Sequence, residues 1–166
     1  MSFPKMARTD HEIRITPSIL DRLLDYDPQA SAEAPRSQAQ SLAELKKSVK
    51  RDLEWLLNTR HNGIEIPETL EELNESLAVY GLPDLTSLSV RNPDEQNRLS
   101  KAIETSLRIF EPRFMNVRVT LEPIDNTDRQ LRFRIEAHLD VEPVPEPISF
   151  DTVLQVGSGE FAISQK

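Results

Sequence analysis

Leu107-Arg108-Ile109-Phe110-Glu111-Pro112-Arg113-Phe114-Met115-Asn116-Val117-Arg118-Val119-Thr120-Leu121 is the stretch in which the chain changes its hydrophobic period. Upstream, Leu99, Ala102, Ile103, Leu107 and Phe110 recur at helical spacing. Downstream, Val117, Val119 and Leu121 alternate with Asn116, Arg118 and Thr120, the pattern of a strand with one wet face. Pro112 marks the switch. It has no backbone N–H and clashes with the preceding turn, so the helix stops at Phe110 and Glu111 is biased to an extended conformation. Residues i and i+2 of an extended stretch share a face. Glu111 and Arg113 are therefore expected to present a carboxylate and a guanidinium side by side, to a third element or to another chain. A plain helix stop with surface charges explains the same three residues.

The reading extends outward from this junction. On the C-terminal side, Ile124 to Gln130 reads as a turn. A strand follows in which Leu131, Phe133, Ile135, Ala137, Leu139 and Val141 share one side. Glu142-Pro143-Val144-Pro145-Glu146-Pro147 lacks three of six backbone donors, so it predicts a sheet edge or an extended crossover and excludes a central strand. Ile148, Phe150, Thr152, Leu154 and Val156 alternate again, and Gly157-Ser158-Gly159 turns the chain into a short last strand near Phe161 to Ile163.

On the N-terminal side, Asn92 as cap, Pro93 at the first position and Glu95 three residues past the cap start the helix that ends at Phe110. Pro67 opens an expected third helix with Leu70, Leu73, Leu77 and Tyr80 on one face, stopped by Gly81 and Pro83. Ser41 and Glu44 have the spacing of a capping box. They predict a helix start at 41, carrying Leu42, Leu45, Val49, Leu53 and Leu56 up to His61-Asn62-Gly63. Trp55 lies off that stripe and either flanks the core or anchors an interface. Helices first and a mainly antiparallel sheet second define an α+β domain, with the N-terminal helices packed on a sheet formed by the C-terminal half.

Residues 1–40 read as an arm separate from the domain at 41–166. Thr16-Pro17 predicts a helix start, with Ile19, Leu20, Leu23 and Leu24 as its apolar residues and an end near Tyr26-Asp27-Pro28. Asp27 to Gln40 has little to bury and reads as a mobile linker. So short a helix must dock on something. Its partner is either its own domain or another protein.

With 166 residues the chain accommodates one domain with a sizeable core. Hydrophobic residues make up 37%, a low share that favours a module depending on partners over a self-sufficient enzyme. The net charge of -8, from 20 Lys+Arg against 28 Asp+Glu, opposes binding to nucleic acid or to anionic membrane. The absence of cysteine excludes disulfides, thiolate metal sites and a Cys nucleophile. No signal-like or spanning apolar segment is visible, so a cytoplasmic protein without membrane insertion is expected.

Chemistry-bearing motifs are scarce. His11, His61 and His138 form no metal-ligand spacing, and there is neither a Gly-rich phosphate loop nor a nucleophile elbow. No metal, cofactor or catalytic residue is expected. The remaining enzymatic option is a carboxylate pair acting on a glycan, with Glu111 as acid and Glu122 or Glu136 as partner. Arg113 beside Glu111 favours the charged carboxylate, the wrong form for a general acid. Aromatic residues at 5% also leave few platforms for sugar rings.

The motifs resemble, in order, the TssE family of type VI secretion baseplates and its relative in the wedge of contractile phage tails. Pro17-Ser18-Ile19-Leu20-Asp21-Arg22-Leu23 is similar to the family's N-terminal helix, and Val49 to Arg60 to its long helix. Leu82-Pro83-Asp84-Leu85 precedes Phe110-Glu111-Pro112-Arg113-Phe114 at the Glu-Pro-Arg signature. Leu131 to Ile135 and Phe150 to Leu154 complete the likeness, which spans about residues 12 to 163. Despite a lysozyme-like label, the resemblance implies a structural subunit that joins the baseplate wedge, TssF and TssG, to the contractile sheath, TssB and TssC. It implies sheath contact by strand addition, and interaction roles for Glu111, Pro112, Arg113 and for Leu20, Leu23 and Leu24. A peptidoglycan-hydrolysing enzyme and a regulatory anti-adapter module are the alternatives.

Overall fold

A computed structural model describes residues 15, 18–24, 38–61, 63, 67, 69–84, 92–122, 130–155 and 157–165. Three α-helices, α1 (Ile19–Leu23), α2 (Gln38–Asn58) and α3 (Pro93–Phe110), precede four strands, β1 (Phe114–Leu121), β2 (Gln130–Leu139), β3 (Glu146–Gln155) and β4 (Glu160–Gln165). The strands form one antiparallel meander in the order β1-β2-β3-β4. This is the α+β layout.

The alternation in the sequence puts every second side chain of the sheet on the helix side. Leu131, Phe133, Ile135, Ala137 and Leu139 of β2 and Ile148, Phe150 and Leu154 of β3 are buried there, together with Leu45, Val49, Leu53, Leu56 and Leu57 of α2 and Leu99, Ile103 and Leu107 of α3. The other face of the sheet is wet. Arg134 sits on it between Glu122 at 2.6 Å and Asp151 at 3.0 Å.

β1 departs from plain alternation. Asn116 has a φ of 54° and the β1–β2 register shifts between Met115 and Arg118. A bulge inserts one residue, so Phe114 and Val117, three apart, both point into the core. Asn is among the few non-Gly residues that tolerate this backbone region.

Several expectations need correction. α2 begins at Gln38, so Ser41 and Glu44 lie within its first turns and do not cap it, and residues 38–40 belong to the helix, not to a linker. The expected third helix is instead two short 3-10 segments, Glu71–Glu75 and Leu77–Val79, with Leu77 84% exposed and Leu70 50% exposed. Helical spacing there lacked a surface to pack on, and propensity alone holds so short a helix poorly. The chain from Glu111 to Phe114 is a turn, not extended, because Phe114 N–H donates to Glu111 C=O at 3.0 Å.

Pro147 behaves as its chemistry requires. It lies in the first part of β3, where residues 146–149 pair with β2 alone and β4 does not reach. A missing N–H costs no ladder bond on that unpaired side. Of the turn expected from Ile124 to Gln130, residues 124–129 lie outside the described residues and Gln130 already belongs to β2; the linker up to residue 37 lies outside them too. The first helix is capped by Ser18 and ends at Leu23 with Leu24 as its C-cap, so it is shorter than expected at both ends, from Thr16-Pro17 and near Tyr26-Asp27-Pro28.

Thr152 gives a prediction. Its side chain is 1% exposed, and among the described residues its Oγ1 is buried without a hydrogen-bond partner. An unmet buried hydroxyl costs roughly 1–3 kcal/mol, so the near-isosteric Thr152→Val should stabilise the fold by about 1 kcal/mol. A thermal melt checks this. A lower melting temperature for the variant would show that the hydroxyl has a partner.

Candidate assembly site

The end of α3, the turn after it and the middle of α2 meet at Glu111. The side chain of Glu111 is 6% exposed, and Arg113 grips it with two nitrogens, Nε at 2.5 Å from Oε1 and Nη2 on Oε2. Arg113 N–H also donates to Oε1 at 3.3 Å, so one carboxylate is held by backbone and side chain of the same residue. The guanidinium continues to α2, where Nη2 donates to Asp52 Oδ2 at 2.7 Å and Nη1 to Ser48 Oγ at 3.3 Å. The third element facing Glu111 and Arg113 is therefore α2 of the same chain.

The charges alternate beyond that point. Asp52 Oδ1 accepts from Arg51 at 2.7 Å and 2.9 Å, and Arg51 Nη1 donates to Asp21 of α1 at 2.9 Å. Ser18 caps α1 by accepting Asp21 N–H at 3.1 Å, and its hydroxyl donates to Asp21 Oδ2 at 2.6 Å. The row Glu111, Arg113, Asp52, Arg51, Asp21 thus ties α1 to α2 and to the α3–β1 turn. The guanidinium of Arg51 lies 5.1 Å over the ring of Trp55, which is 52% exposed. Trp55 thus stands on an open surface outside the core cluster.

Burial disfavours the charge on Arg113. The hydrogen bonds and Coulomb attraction of Glu111, then of Asp52, outweigh it and push the guanidinium pKa above its usual range. At Asp21, burial opposes the charged form, and the bonds from Ser18 and Arg51 reverse that effect and hold the carboxyl below the usual carboxylate range. A group depressed in this way stabilises the docked α1 above its unfolded value of about 4, and the stabilisation is lost as pH falls through the lower folded value. Emission from Trp55, the single tryptophan, should therefore shift in acid below about pH 4, and the shift should be absent in Asp21→Asn. Equal profiles for the two proteins would show that Asp21 does not hold α1.

An open groove of about 700 Å³ runs beside this row, lined among others by Leu20, Trp55, Tyr80, Phe110, Pro112 and Val141. Burial, then the charges of Asp52 and Glu111, pushes the Tyr80 phenol pKa up. Leu23, the last residue of α1, and its C-cap Leu24 are 76% and 41% exposed. Of the residues singled out in the sequence, Glu111 and Arg113 are thus joined in one ion pair. Pro112 is exposed on the turn between them, Leu20 reaches the groove, and Leu23 and Leu24 stay outside it.

Sequence reasoning missed Ser48, Arg51, Asp52 and Asp21. Ser48 and Asp52 are one helical turn apart and border the stripe of Val49 and Leu53, so polar residues at the edge of an apolar face were the available signal.

The family profile described as baseplate wedge protein gp25 matches residues 43–144, more than half of the chain. The chain belongs to the baseplate wedge gp25 family. No curated protein gives a significant match. The span shared with the gp25 family holds Ser48, Asp52, Glu111 and Arg113 together, and omits α1, the start of α2 and all of β3 and β4. The family carries a structural role in a phage-tail-like baseplate. Among the described residues, no helix is long and apolar enough to cross a membrane.

Proposed function

We propose that this wedge protein is the TssE-type subunit of a type VI secretion baseplate, with TssF and TssG on its wedge side and the sheath proteins TssB and TssC on the other. It acts without catalysis, in the cytoplasm, within a baseplate docked at the membrane. The observation that carries the reading is the fate of Glu111. Its carboxylate is consumed by Arg113, which is itself held by Asp52. A general acid needs a protonated, accessible carboxyl facing a substrate. Glu111 is instead a buried part of a rigid corner between helices and sheet. Glu122 is engaged with Arg134, and Glu136 stands on the sheet opposite Arg118.

The arm supplies the wedge contact in this reading, through the exposed Leu23 and Leu24 and the groove-lining Leu20. Co-purification with tagged TssF and TssG tests it directly. Leu23→Ser with Leu24→Ser should reduce recovery of the wedge proteins, while the Glu111–Arg113 corner and the melt stay unchanged. Recovery equal to wild type would remove the docking role from α1. Purified protein should also release no muropeptides from cell walls. Release that disappears in Glu111→Gln would restore the glycosidase reading.

A further inference from the structure

From Asn62 to Val90 the chain holds no Lys, Arg or His, and its six carboxylates there are Glu65, Glu68, Glu71, Glu72, Glu75 and Asp84. Most of the net charge of -8 therefore resides in the connection between α2 and α3. The two 3-10 segments of that connection hold apolar side chains out in water. Leu77 is 84% exposed, the most open large hydrophobic side chain among the described residues, and Leu70 is 50% exposed. Glu72 and Glu75, between them in the chain, are exposed as well, and among the described residues neither meets a cation.

The backbone that presents these side chains is fixed. Leu73 N–H donates to Leu70 C=O at 3.1 Å, Ser76 N–H to Leu73 C=O at 3.2 Å and Tyr80 N–H to Leu77 C=O at 3.3 Å. Ser76 Oγ donates to Leu73 C=O at 2.7 Å and accepts from Ala78 N–H at 3.3 Å, joining the two segments. Beyond them Tyr80 stands edge-on to Phe110 at 5.2 Å, and Gly81 C=O accepts from Ser106. An apolar group already held in place loses little freedom when a partner covers it. A lone exposed leucine is ordinary, whereas two on a fixed acidic segment make a surface of defined chemistry.

Charge decides what covers it. A second copy would set like carboxylates face to face, and nucleic acid or an anionic membrane would meet the same repulsion. A metal ion or a polyamine would neutralise the carboxylates and leave the leucines in water. A protein surface with an apolar recess rimmed by Lys or Arg satisfies both features. We infer that Glu71–Glu75 and Leu77–Val79 form a docking element for such a surface, with Leu77 and Leu70 entering the recess and Glu72 and Glu75 pairing with its rim. The element runs into Tyr80, which lines the groove that Leu20 reaches, so it lies beside the contact proposed for α1. The inference rests on that reading for its partner, TssF–TssG, and adds a second, acidic contact to it.

Leu77→Ser removes an apolar side chain that the fold leaves in water, so the melt should be unchanged while affinity for purified TssF–TssG falls about tenfold or more. Glu72→Lys combined with Glu75→Lys should weaken binding at least as much at low salt, and added salt should narrow that gap. Binding as tight as wild type in either variant would overturn this element, and the wedge contact would then stand on the Leu23→Ser, Leu24→Ser variant alone. A lower melting temperature for Leu77→Ser would assign the leucine to the fold and overturn the element too. A dimer in sedimentation of the isolated wild-type protein, lost in Leu77→Ser, would give the surface to a second copy. Carbodiimide cross-links from Glu72 or Glu75 to Lys5 of the same chain would give it to the chain's own N-terminal segment. Each of these results would overturn the basic partner. Failure of the wild type to bind TssF–TssG would overturn the wedge reading and the partner named here with it.

Discussion

Arg113→Ala is expected to lower the melting temperature of the isolated protein by roughly 10 °C, a larger fall than Glu111→Ala produces. Removing one partner of a desolvated ion pair typically costs about 3–5 kcal/mol, and each kcal/mol moves a chain of this size by roughly 2–4 °C. The order follows from the geometry. Without Arg113, the carboxylates of Glu111 and Asp52 face each other with no cation between them, whereas without Glu111 the guanidinium keeps Asp52 and Ser48. Arg113→Lys should rescue little, because an ammonium cannot reproduce the fork that holds Glu111 and Asp52 together. Differential scanning calorimetry on the three variants reads the order directly. Unchanged melts combined with lost sheath assembly in cells would mean that the pair acts between chains. Unchanged melts with normal secretion would reduce the motif to a helix stop.

Gly81→Ala should be comparably damaging, although it lies in no motif of charge. Gly81 has a φ of 109°, and a Cβ there would stand 2.5 Å from the carbonyl oxygen of Thr59. The approach is close because Leu82 N–H donates to Thr59 C=O at 2.9 Å and His61 N–H to Leu82 C=O at 3.1 Å, stitching the segment after α2 to the segment before α3. Ser106 Oγ donates to Gly81 C=O at 2.9 Å from the buried face of α3. The backbone therefore has no slack on either side. Strain from the φ value alone costs about 1–3 kcal/mol, and the contact with Thr59 adds to it. The expected total is at least about 2 kcal/mol. A melting temperature within a degree or two of wild type would show that the segment at Thr59 moves aside.

The sheet was legible in the sequence because its core face repeats every second residue without interruption in β2 and β3. Period-2 burial also survives in β4. The bulge at Asn116 was not legible, since one residue in a left-handed conformation leaves no periodic trace in an eight-residue strand. α3 was marked by its cap, its Pro93 and its apolar stripe. The 3-10 segments were misread because Leu70, Leu73 and Leu77 have helical spacing, while exposure of Leu70 and Leu77 is a tertiary outcome. At the site, Glu111 and Arg113 were expected side by side on an extended junction, whereas a turn closed by Phe114 N–H on Glu111 C=O brings them together. Asp52 lies 61 positions away from Arg113, and Asp21 a further helix away, so no local pattern pairs them.

The meander order has a kinetic consequence. Each strand pairs with its neighbour in the chain, so the ladder from β1 to β4 is built from short loop closures. Asn58 and Phe161, joined by hydrogen bonds, are 103 positions apart, and Lys46 and Glu146 are 100 apart, so α2 closes over the sheet across nearly the whole domain. Long closures come late, because their entropy is lost before their contacts reward it. Hairpins should therefore form first and α2 should seal last, like a hasp dropped over a finished panel. Contacts made after the rate-limiting step govern escape more than arrival. Asn58→Ala should thus speed unfolding in a denaturant chevron while leaving the refolding limb in place, so the lifetime of the folded subunit is set by how long that last helix stays shut.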